Sequence, residues 1–550
     1  MALRRFLDSL KLDPQEGMFS SQEGYNRFSN ADLDPSSPEK RKWKWYHIGG
    51  FWISEGFNLA QMQTVGSAVA MGLNPGLAAA ACFVGNCLVI IPCAMSGYLG
   101  SRYGVNFPVI IRSSFGLWGA YLPILFRGAF CFILYGVQSV LGGSAVLAML
   151  TALSPSFAKW HENALPTSLG ITAPAMVAFW VFWIASFPFL FLSIPTLRWF
   201  FLIKICIVPF FWTAMFTWAL TAGGGVGPLF SIPSKIENGF SVTYAFFYCM
   251  TAAIGTNATF ALNMADVTRY SDSPKQAWIA QLWAGPIFLT LTELLGAIIG
   301  ATSQVVYGQV LFNPVSVMLL WSNRPAKFFG GFVLALCNIG TNVSGNSIPF
   351  GNDITAWFPK YINIRRGQII CAILGVIIQP WYINSKGATF LAFINGYSTF
   401  LGPVCGIMCA DYFIVRRFKG IDLKACYEPH GVYWFIYGVN PRAMAALILA
   451  IAPNLPGLLY SMGVPVHNRG ILNYFSATWL TGTLLAAVSY TLLNYIFPPA
   501  PVTGLSQYHF DEKGILNMEI LYLDGGLSTP ASEIVVLDEK NTVQIPTGVV

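Results

Sequence analysis

Charge is what this chain has least of. Only 10% of its 550 residues are Asp, Glu, Lys or Arg, against roughly a quarter in soluble domains, which excludes a water-soluble surface of ordinary composition. Histidine is scarce too: His47, His161, His430, His467 and His509 lie at span ends or in loops. The 11 cysteines, among them Cys82, Cys87, Cys93, Cys131, Cys206, Cys249 and Cys371, show no metal-type spacing. They are expected as small buried hydrophobes, and no metal is expected. No HExxH, GxSxG, P-loop or dinucleotide fingerprint occurs, so neither an enzyme nor a cofactor is expected. The opening MALRRFLDSLKLDPQEG has no long apolar core followed by a small-residue cleavage site, so no cleaved signal peptide is expected.

What is present is apolar. Hydrophobic residues make up 55% of the chain, mean hydropathy is +0.57, and runs of about 18 or more apolar residues recur along it. The pattern predicts an all-α polytopic membrane protein with about twelve spans. They fall near 46–72, 77–100, 120–152, 171–194, 198–222, 242–266, 278–304, 327–358, 367–383, 387–415, 440–462 and 473–497. Residues 1–45 read as a polar, flexible cytosolic tail, 46–498 as the membrane domain, and 499–550 as a polar, acidic cytosolic tail without a core of its own.

The net charge of +7 points to topology, not to nucleic acid. One set of alternate connections holds Arg102 and Arg112, then Arg198, then Arg269 and Lys275, then Lys360, Arg365 and Arg366, then Arg416, Arg417, Lys419 and Lys424. The other set holds only Lys159, Lys235, Arg324, Lys386 and Arg469, one to a loop. With Lys40, Arg41, Lys42 and Lys44 before the first span, the positive-inside rule places both termini in the cytoplasm and requires an even number of spans.

Polar groups inside the spans mark candidate function. The stretch ALCNIGTNVSGNSIPFGND (335–353) carries Asn338, Asn342 and Asn346 at four-residue spacing. That spacing keeps them close to one helix face, drifting by roughly 40° per step, before Pro349 interrupts the helix. They are either glue between helices or a polar ligand site at mid-membrane. The first span holds Gly49, Gly50, Gly56, Glu55 and Asn58, and the sixth holds Gly255, Thr256 and Asn257. Interrupted spans in matching positions hint at a five-plus-five inverted repeat with its site at the midplane. Glu55 is a candidate proton carrier or a structural partner to a buried base. Gln138 in the third span offers paired donor and acceptor to an uncharged ring. Asp266 and Arg269, at i and i+3, read as a structural or gating pair. Lys204 and Glu293 are further deep charges, open to snorkelling, mutual pairing or ion coupling.

Several motifs in order resemble one family: SNADLDPSSPEKRKWKWYHIGGFWI, FWISEGFN, YGVQ, NMADVTRY, GTNVSGNSIPFGND, FPKYINIRRGQ, and GYSTFLGPVCGIMCADYFIVRR followed by GVYWFIYGVNPRA. Over roughly residues 28–460 they are similar to the nucleobase–cation-symport-1 family, in particular its fungal Fur-type branch of uracil, allantoin and uridine permeases. The resemblance implies a LeuT-type five-plus-five fold with two peripheral helices and a substrate between the first, third, sixth, eighth and tenth spans. By motif, Asn58, Gln138, Asn342 and Asn346 fall on the family's polar substrate positions. Leu134 stands where the family has a ring-stacking tryptophan, and Asn257 where its bacterial hydantoin transporter has a second one. The hydroxyl pair of that member's sodium site becomes Gly340–Thr341, which favours a proton over sodium as coupling ion.

The resulting expectation is a proton symporter in the plasma membrane for uracil, allantoin, uric acid or a nucleoside. Asn58, Gln138, Leu134, Asn257, Asn342 and Asn346 would meet substrate, and Glu55, Asp266, Arg269 and Thr341 would couple or gate. The alternatives are a vitamin cargo (thiamine, nicotinamide riboside or pyridoxine), and a non-transporting nutrient receptor suggested by the acidic C-terminal tail. Tail lysines such as Lys513 and Lys540 are candidate ubiquitin sites for turnover.

Overall fold

The computed structural model describes residues 11–12, 27–192, 194–225, 230–236, 239–499, 504–510, 516–522 and 533–535. Among them, nine helices are long and apolar enough to cross a membrane, and the bent pair Arg469–Phe475 and Thr478–Ile496 brings the number to ten. The first expected span divides into α1 (Trp45–Gly56) and α2 (Leu59–Ala70). Asn58 sits between them in extended backbone, φ −146° and ψ 164°, and its side chain caps α2 by accepting from Gln61 N–H. Next come α3 (Pro75–Tyr103), α4 (Tyr121–Leu153), α5 (Ala173–Ser186) and α6 (Ile194–Ala222). Asn74 caps α3, Pro75 occupies its first turn, and Gly104 (φ 68°) ends it in the left-handed region that favours glycine.

The sixth span is α7 (Val242–Ala258) and α8 (Phe260–Thr268), and the seventh is α9 (Pro274–Tyr307). Contrary to expectation, the sixth is almost continuous. Its seam is Thr259, whose φ of −63° and ψ of −37° remain helical, and not the Gly255–Asn257 stretch. Gly255 serves close packing against Ile394 and Ser398 instead.

The eighth span also departs from the reading. The helix is not broken at Pro349: α10 (Arg324–Thr341) passes into a π-turn, Asn342–Ser347, and then into α11 (Ile348–Trp357). Pro349 lies in the first turn of α11, where the wider π-turn before it removes the need for its missing N–H. The remaining spans are α12 (Ile364–Ile377), α13 (Gly387–Cys409), α14 (Pro441–Ile451) with α15 (Leu455–Ser461), and α16 (Arg469–Phe475) with α17 (Thr478–Ile496).

Two packed groups result. In the first, α3 packs against α7, α8 and α9, and α9 against α1 and α2, whereas α4 packs with α5, α10, α11 and α12. Within the first group α3 and α8 approach at Gly100, where a Cβ would lie 2.5 Å from the Ala265 Cα, a spacing only glycine permits. α17 packs on α13 and α14.

The segment 27–44 is not a loose tail. Phe28, Leu33 and Trp43 are buried, and Asn30 Oδ1 accepts from the N–H groups of Asp32 and Leu33. Asn30 Nδ2 donates to the carbonyls of Pro359 and Ile362. Three apolar anchors in a polar stretch and one Asx turn are enough to order it. Beyond the bundle, Gly504–Phe510, Leu516–Tyr522 and Glu533–Val535 form an antiparallel sheet in sequence order. The strand Leu516–Tyr522 matches the two-residue alternation of LNMEILY.

Candidate functional site

The break in α1–α2, the π-turn after α10, the middle of α4 and the α7–α8 seam meet at one enclosed cavity. Asn58, Gln61, Leu134, Gln138, Thr256, Thr259, Phe260, Thr341, Gly345 and Asn346 line it, together with Phe390 and Ile394 of α13. Its volume is about 30 Å³, room for a water but not for a six-membered ring. A ring enters only if the segments around it separate. No charged side chain is on the wall among the described residues.

The polar groups are interlocked. Gln138 Nε2 donates to Asn58 Oδ1 (3.3 Å), and Asn58 Nδ2 donates to the carbonyl of Glu55 (2.6 Å). Asn338 Oδ1 accepts the Leu59 N–H (3.2 Å) while its Nδ2 donates to the Gln138 carbonyl (3.3 Å). The π-turn turns Asn342 away from the cavity: its Nδ2 donates to the Tyr135 carbonyl (3.1 Å) and Ser139 Oγ (3.0 Å), and its Oδ1 accepts from Asn346 Nδ2 (3.1 Å). Gln138 Oε1 is buried with no partner. An orphan acceptor costs about 1–3 kcal/mol, so it is a natural contact for a ligand N–H.

Four expectations need correcting. Asn342 does not reach the cavity and positions Asn346 instead. Asn257 also lies behind the wall, its Oδ1 accepting from Gln61 Nε2 (2.7 Å). The aromatic inferred to be missing from the sixth span is present three residues later, as Phe260, which lines the cavity edge-on to Phe51 and Trp52. Asp266 and Arg269 do not pair. Asp266 accepts from Arg127 Nη1 (3.0 Å) and the Phe107 N–H (2.9 Å), while Arg269 donates to Ser36 Oγ (2.7 Å) and the carbonyls of Asp32 (2.7 Å) and Asp34 (2.5 Å).

Glu55 and Lys204 lie beside the cavity. Ser344 Oγ donates to Glu55 Oε1 (2.5 Å). Lys204 Nζ donates to the carbonyls of Ser54 (2.6 Å) in α1 and Cys337 (3.0 Å) in α10. A Cβ on Gly340 would fall 2.9 Å from that ammonium. The glycine that removes a hydroxyl therefore makes room for a cation supplied by the chain. Lys204 and Glu293 do not pair; Glu293 accepts from Asn86 Nδ2 (2.5 Å).

At the basic end of the bundle Arg127 of α4 ties three elements together. Its Nη2 donates to Asp353 Oδ1 (2.5 Å) and its Nε to Asp353 Oδ2 (2.9 Å), besides the bond to Asp266. Its guanidinium also stacks 4.2 Å from the Phe107 ring centroid. Below it the 27–44 segment bridges to Arg112, which donates to the Phe28 carbonyl (2.8 Å), and to Tyr427, whose hydroxyl donates to the Leu33 carbonyl (2.9 Å). Arg127 and Asp353 escaped the sequence reading, although a charge inside a predicted span was a signal already in use for Glu55, Lys204 and Glu293.

Comparison with known proteins fits this architecture. The sequence pattern of the family described as "Permease for cytosine/purines, uracil, thiamine, allantoin" matches residues 35–482. The chain is 31% identical to the allantoin permease of Saccharomyces cerevisiae over 92% of its own length and 81% of the relative's. It is 31% identical to the uracil permease of the same yeast over 85% and 76%, and to an allantoin permease of Bacillus subtilis over 87% and 96%. Among solved structures, the nucleobase-cation-symport-1 transporter Mhp1, closed with bromovinylhydantoin bound, superposes with a TM-score of 0.67 at 20% identity, covering 86% of this chain and 97% of Mhp1. That likeness establishes the fold. From the match along most of its length, the chain belongs to the nucleobase–cation-symport-1 family of membrane permeases.

Proposed function

We propose that the chain imports an uncharged nucleobase-like heterocycle (uracil, allantoin, uric acid or a nucleoside) across the plasma membrane together with a proton. The observation that carries the substrate class is the wall of the cavity. It presents amides, hydroxyls and one orphan acceptor, Gln138 Oε1, with Phe260 for a ring face and no charge among the described residues. A neutral ring bearing N–H and C=O groups satisfies such a wall, whereas an ion would be left unpaired. Asn58, Gln138 and Asn346 bind it, Asn342 orients Asn346, and Leu134 and Phe260 flank the ring.

Proton coupling is supported by Lys204. Its ammonium donates to carbonyls of α1 and α10, so a cation supplied by the chain stands where a metal cation would need those oxygens, with the Glu55 carboxyl nearby. The wall side of this pair is Thr341. The Arg127–Asp266–Asp353 cluster and the segment 27–44 join the two helix groups at the basic end, so their release would open the cavity to the cytoplasm. Counting α1 with α2 as one crossing and the 14-residue α12 as another raises ten crossings to twelve; an even number puts both termini on one side, and the basic connections support the cytoplasm as that side.

A vitamin cargo is the second reading, and Leu134 favours it because one ring face lacks an aromatic partner. Cationic thiamine, however, finds no carboxylate on the wall among the described residues. A non-transporting receptor would show ligand binding without flux. Lys513 and Lys540 lie outside the described residues; a tail without lysines that is still endocytosed normally would remove them as ubiquitin sites.

The test is uptake of radiolabelled uracil, allantoin and uridine by cells lacking their own permeases, with vitamins as competitors. Uptake of one of the three, competed by the others and not by vitamins, is expected. No uptake of any, with the protein at the cell surface, refutes the substrate class.

A further inference from the structure

Behind the cavity wall lies a second buried carboxylate that the scheme above does not use. Glu293, near the middle of α9, is fully buried. Its Oε2 accepts one hydrogen bond, from Asn86 Nδ2 (2.5 Å), and its Oε1 has no partner. The other titratable group facing it is Cys82 of α3, whose Sγ lies 3.7 Å from that of Cys249 in α7. Glu293 makes no ion pair among the described residues, and Lys204, the cation of α6, is committed to the Ser54 and Cys337 carbonyls. An ionised carboxylate offers about four lone-pair sites, and here one is met. Leaving a lone neutral hydroxyl costs a few kcal/mol, whereas leaving a bare charge in an apolar interior costs far more. One hydrogen bond in an apolar pocket favours the neutral acid, whereas the Asn86 N–H₂ that faces it suits the ionised form, so both protonation states have a place here.

A continuous chain of side chains joins this acid to the substrate cavity. Thr256 Oγ1 donates to Gln61 Oε1 (2.9 Å), Gln61 Nε2 to Asn257 Oδ1 (2.7 Å), Asn257 Nδ2 to Asn86 Oδ1 (3.5 Å), and Asn86 Nδ2 to Glu293 Oε2 (2.5 Å). Every link donates in the same direction, toward the carboxyl, and the first two members line the cavity. We propose that Glu293 is a proton-binding site linked to the substrate cavity through the Asn86–Asn257–Gln61 amides.

The linkage follows from the shape of an amide, which presents nearly the same outline when turned over. With Glu293 ionised, each amide points its N–H₂ toward the carboxylate. When a proton from solution binds, the new O–H donates to Asn86 Oδ1, so Asn86 turns over, Asn257 turns to accept from it, and Gln61 in turn offers N–H₂ to Thr256. The turn costs Asn257 its Nδ2 bonds to the Ala253 carbonyl (3.1 Å) and Thr256 Oγ1 (3.3 Å), and Asn86 its bond to Thr290 Oγ1 (3.2 Å), and the new O–H bond has to offset them. The polarity that Gln61 shows to the cavity thus depends on one proton, and by reciprocity substrate loading changes the proton affinity of Glu293. Only the second half of this inference rests on the proposed transport.

Two measurements test it separately. In purified full-length protein, the infrared carbonyl stretch of a protonated carboxyl should appear at neutral pH in the wild type and be missing from Glu293→Gln. Identical spectra overturn the proton site, whatever the protein carries. In permease-deficient cells, KM for whichever of uracil, allantoin or uridine is taken up should change about tenfold between about pH 6 and pH 9, the range in which an acid still protonated at neutral pH gives up its proton. In Glu293→Gln it should change less than about twofold at equal surface level. Asn257→Ala keeps the carboxyl and cuts the chain, so it should retain the infrared band and lose the pH dependence. Either variant with a wild-type pH profile overturns the linkage. If wild type takes up none of the three, the substrate reading and the linkage fall together while the infrared result still decides the proton site.

Discussion

Two buried polar clusters in this protein are built on opposite plans. At the basic end, Arg127 directs Nε, Nη1 and Nη2 to two carboxylates and a carbonyl, with contacts of 2.5 to 3.3 Å. At mid-membrane, Asn58, Gln138 and Asn346 are neutral, their shared bonds run to 3.3 Å, and Gln138 Oε1 is left over. A closure needs strong, mutually satisfied partners, and charge supplies them. A site for neutral cargo needs the reverse: groups held in place but not used up, and no field that would select ions. Under the proposed transport, shortage of partners at the centre and saturation at the end are two sides of one division of labour.

Breaking the saturated cluster should have the largest effect. Arg127→Ala leaves Asp266 and Asp353 buried without their cation, a loss of about 3–5 kcal/mol. Surface delivery should collapse and the thermal unfolding midpoint of the purified protein should drop; unchanged stability would show that the cluster does not hold the fold. Next comes Lys204→Met, which strips donors from two carbonyls and a positive charge from beside Glu55. Hydrogen bonds to charged groups contribute about 1.5–3 kcal/mol each, so uptake should vanish. Added sodium should not restore it, because Gly340 offers no hydroxyl. Restoration by sodium would mean that the ammonium merely fills a working metal site.

The neutral cluster should respond differently. Gln138→Ala and Asn346→Ala remove uncharged groups, so both variants should reach the surface and unfold near the wild-type temperature. KM should rise by roughly 5- to 150-fold, the equivalent of about 1–3 kcal/mol. A variant that folds and transports with wild-type KM would remove that residue from the site.

The same contrast explains what the sequence disclosed. Span positions were legible to within a few residues because apolar length is a strong signal: 242–266 was expected and Val242–Thr268 is found. Asn58 and Gln138 were legible as amides in hydrocarbon. Partners were not, because pairing depends on which helices meet. Asp266 and Arg269 are neighbours on one helix, yet each finds a better partner elsewhere, in Arg127 of α4 and in the 27–44 backbone. The π-turn was hidden as well, since it alters which way Asn342 points without changing any residue. Phe260 was overlooked because one aromatic in an apolar span looks like any other until a cavity lies beside it.

Phe260 gives the finest test of the comparison, because it adds no polarity at all. It touches Phe51 and Trp52 at centroid distances of 5.7 Å, and both it and Leu134 line the cavity. Phe260→Leu keeps an apolar side chain of similar bulk, so neither the amide cluster nor the Arg127 cluster should notice. What is lost is the aromatic contribution to a planar ring, about 0.5–1.5 kcal/mol beyond area, or roughly 2- to 12-fold in KM. The rise should appear for flat, aromatic uracil and be smaller for allantoin, whose rings are not aromatic. Equal losses for both would assign Phe260 to filling space, and the selectivity for flat rings would then have to come from the amides alone.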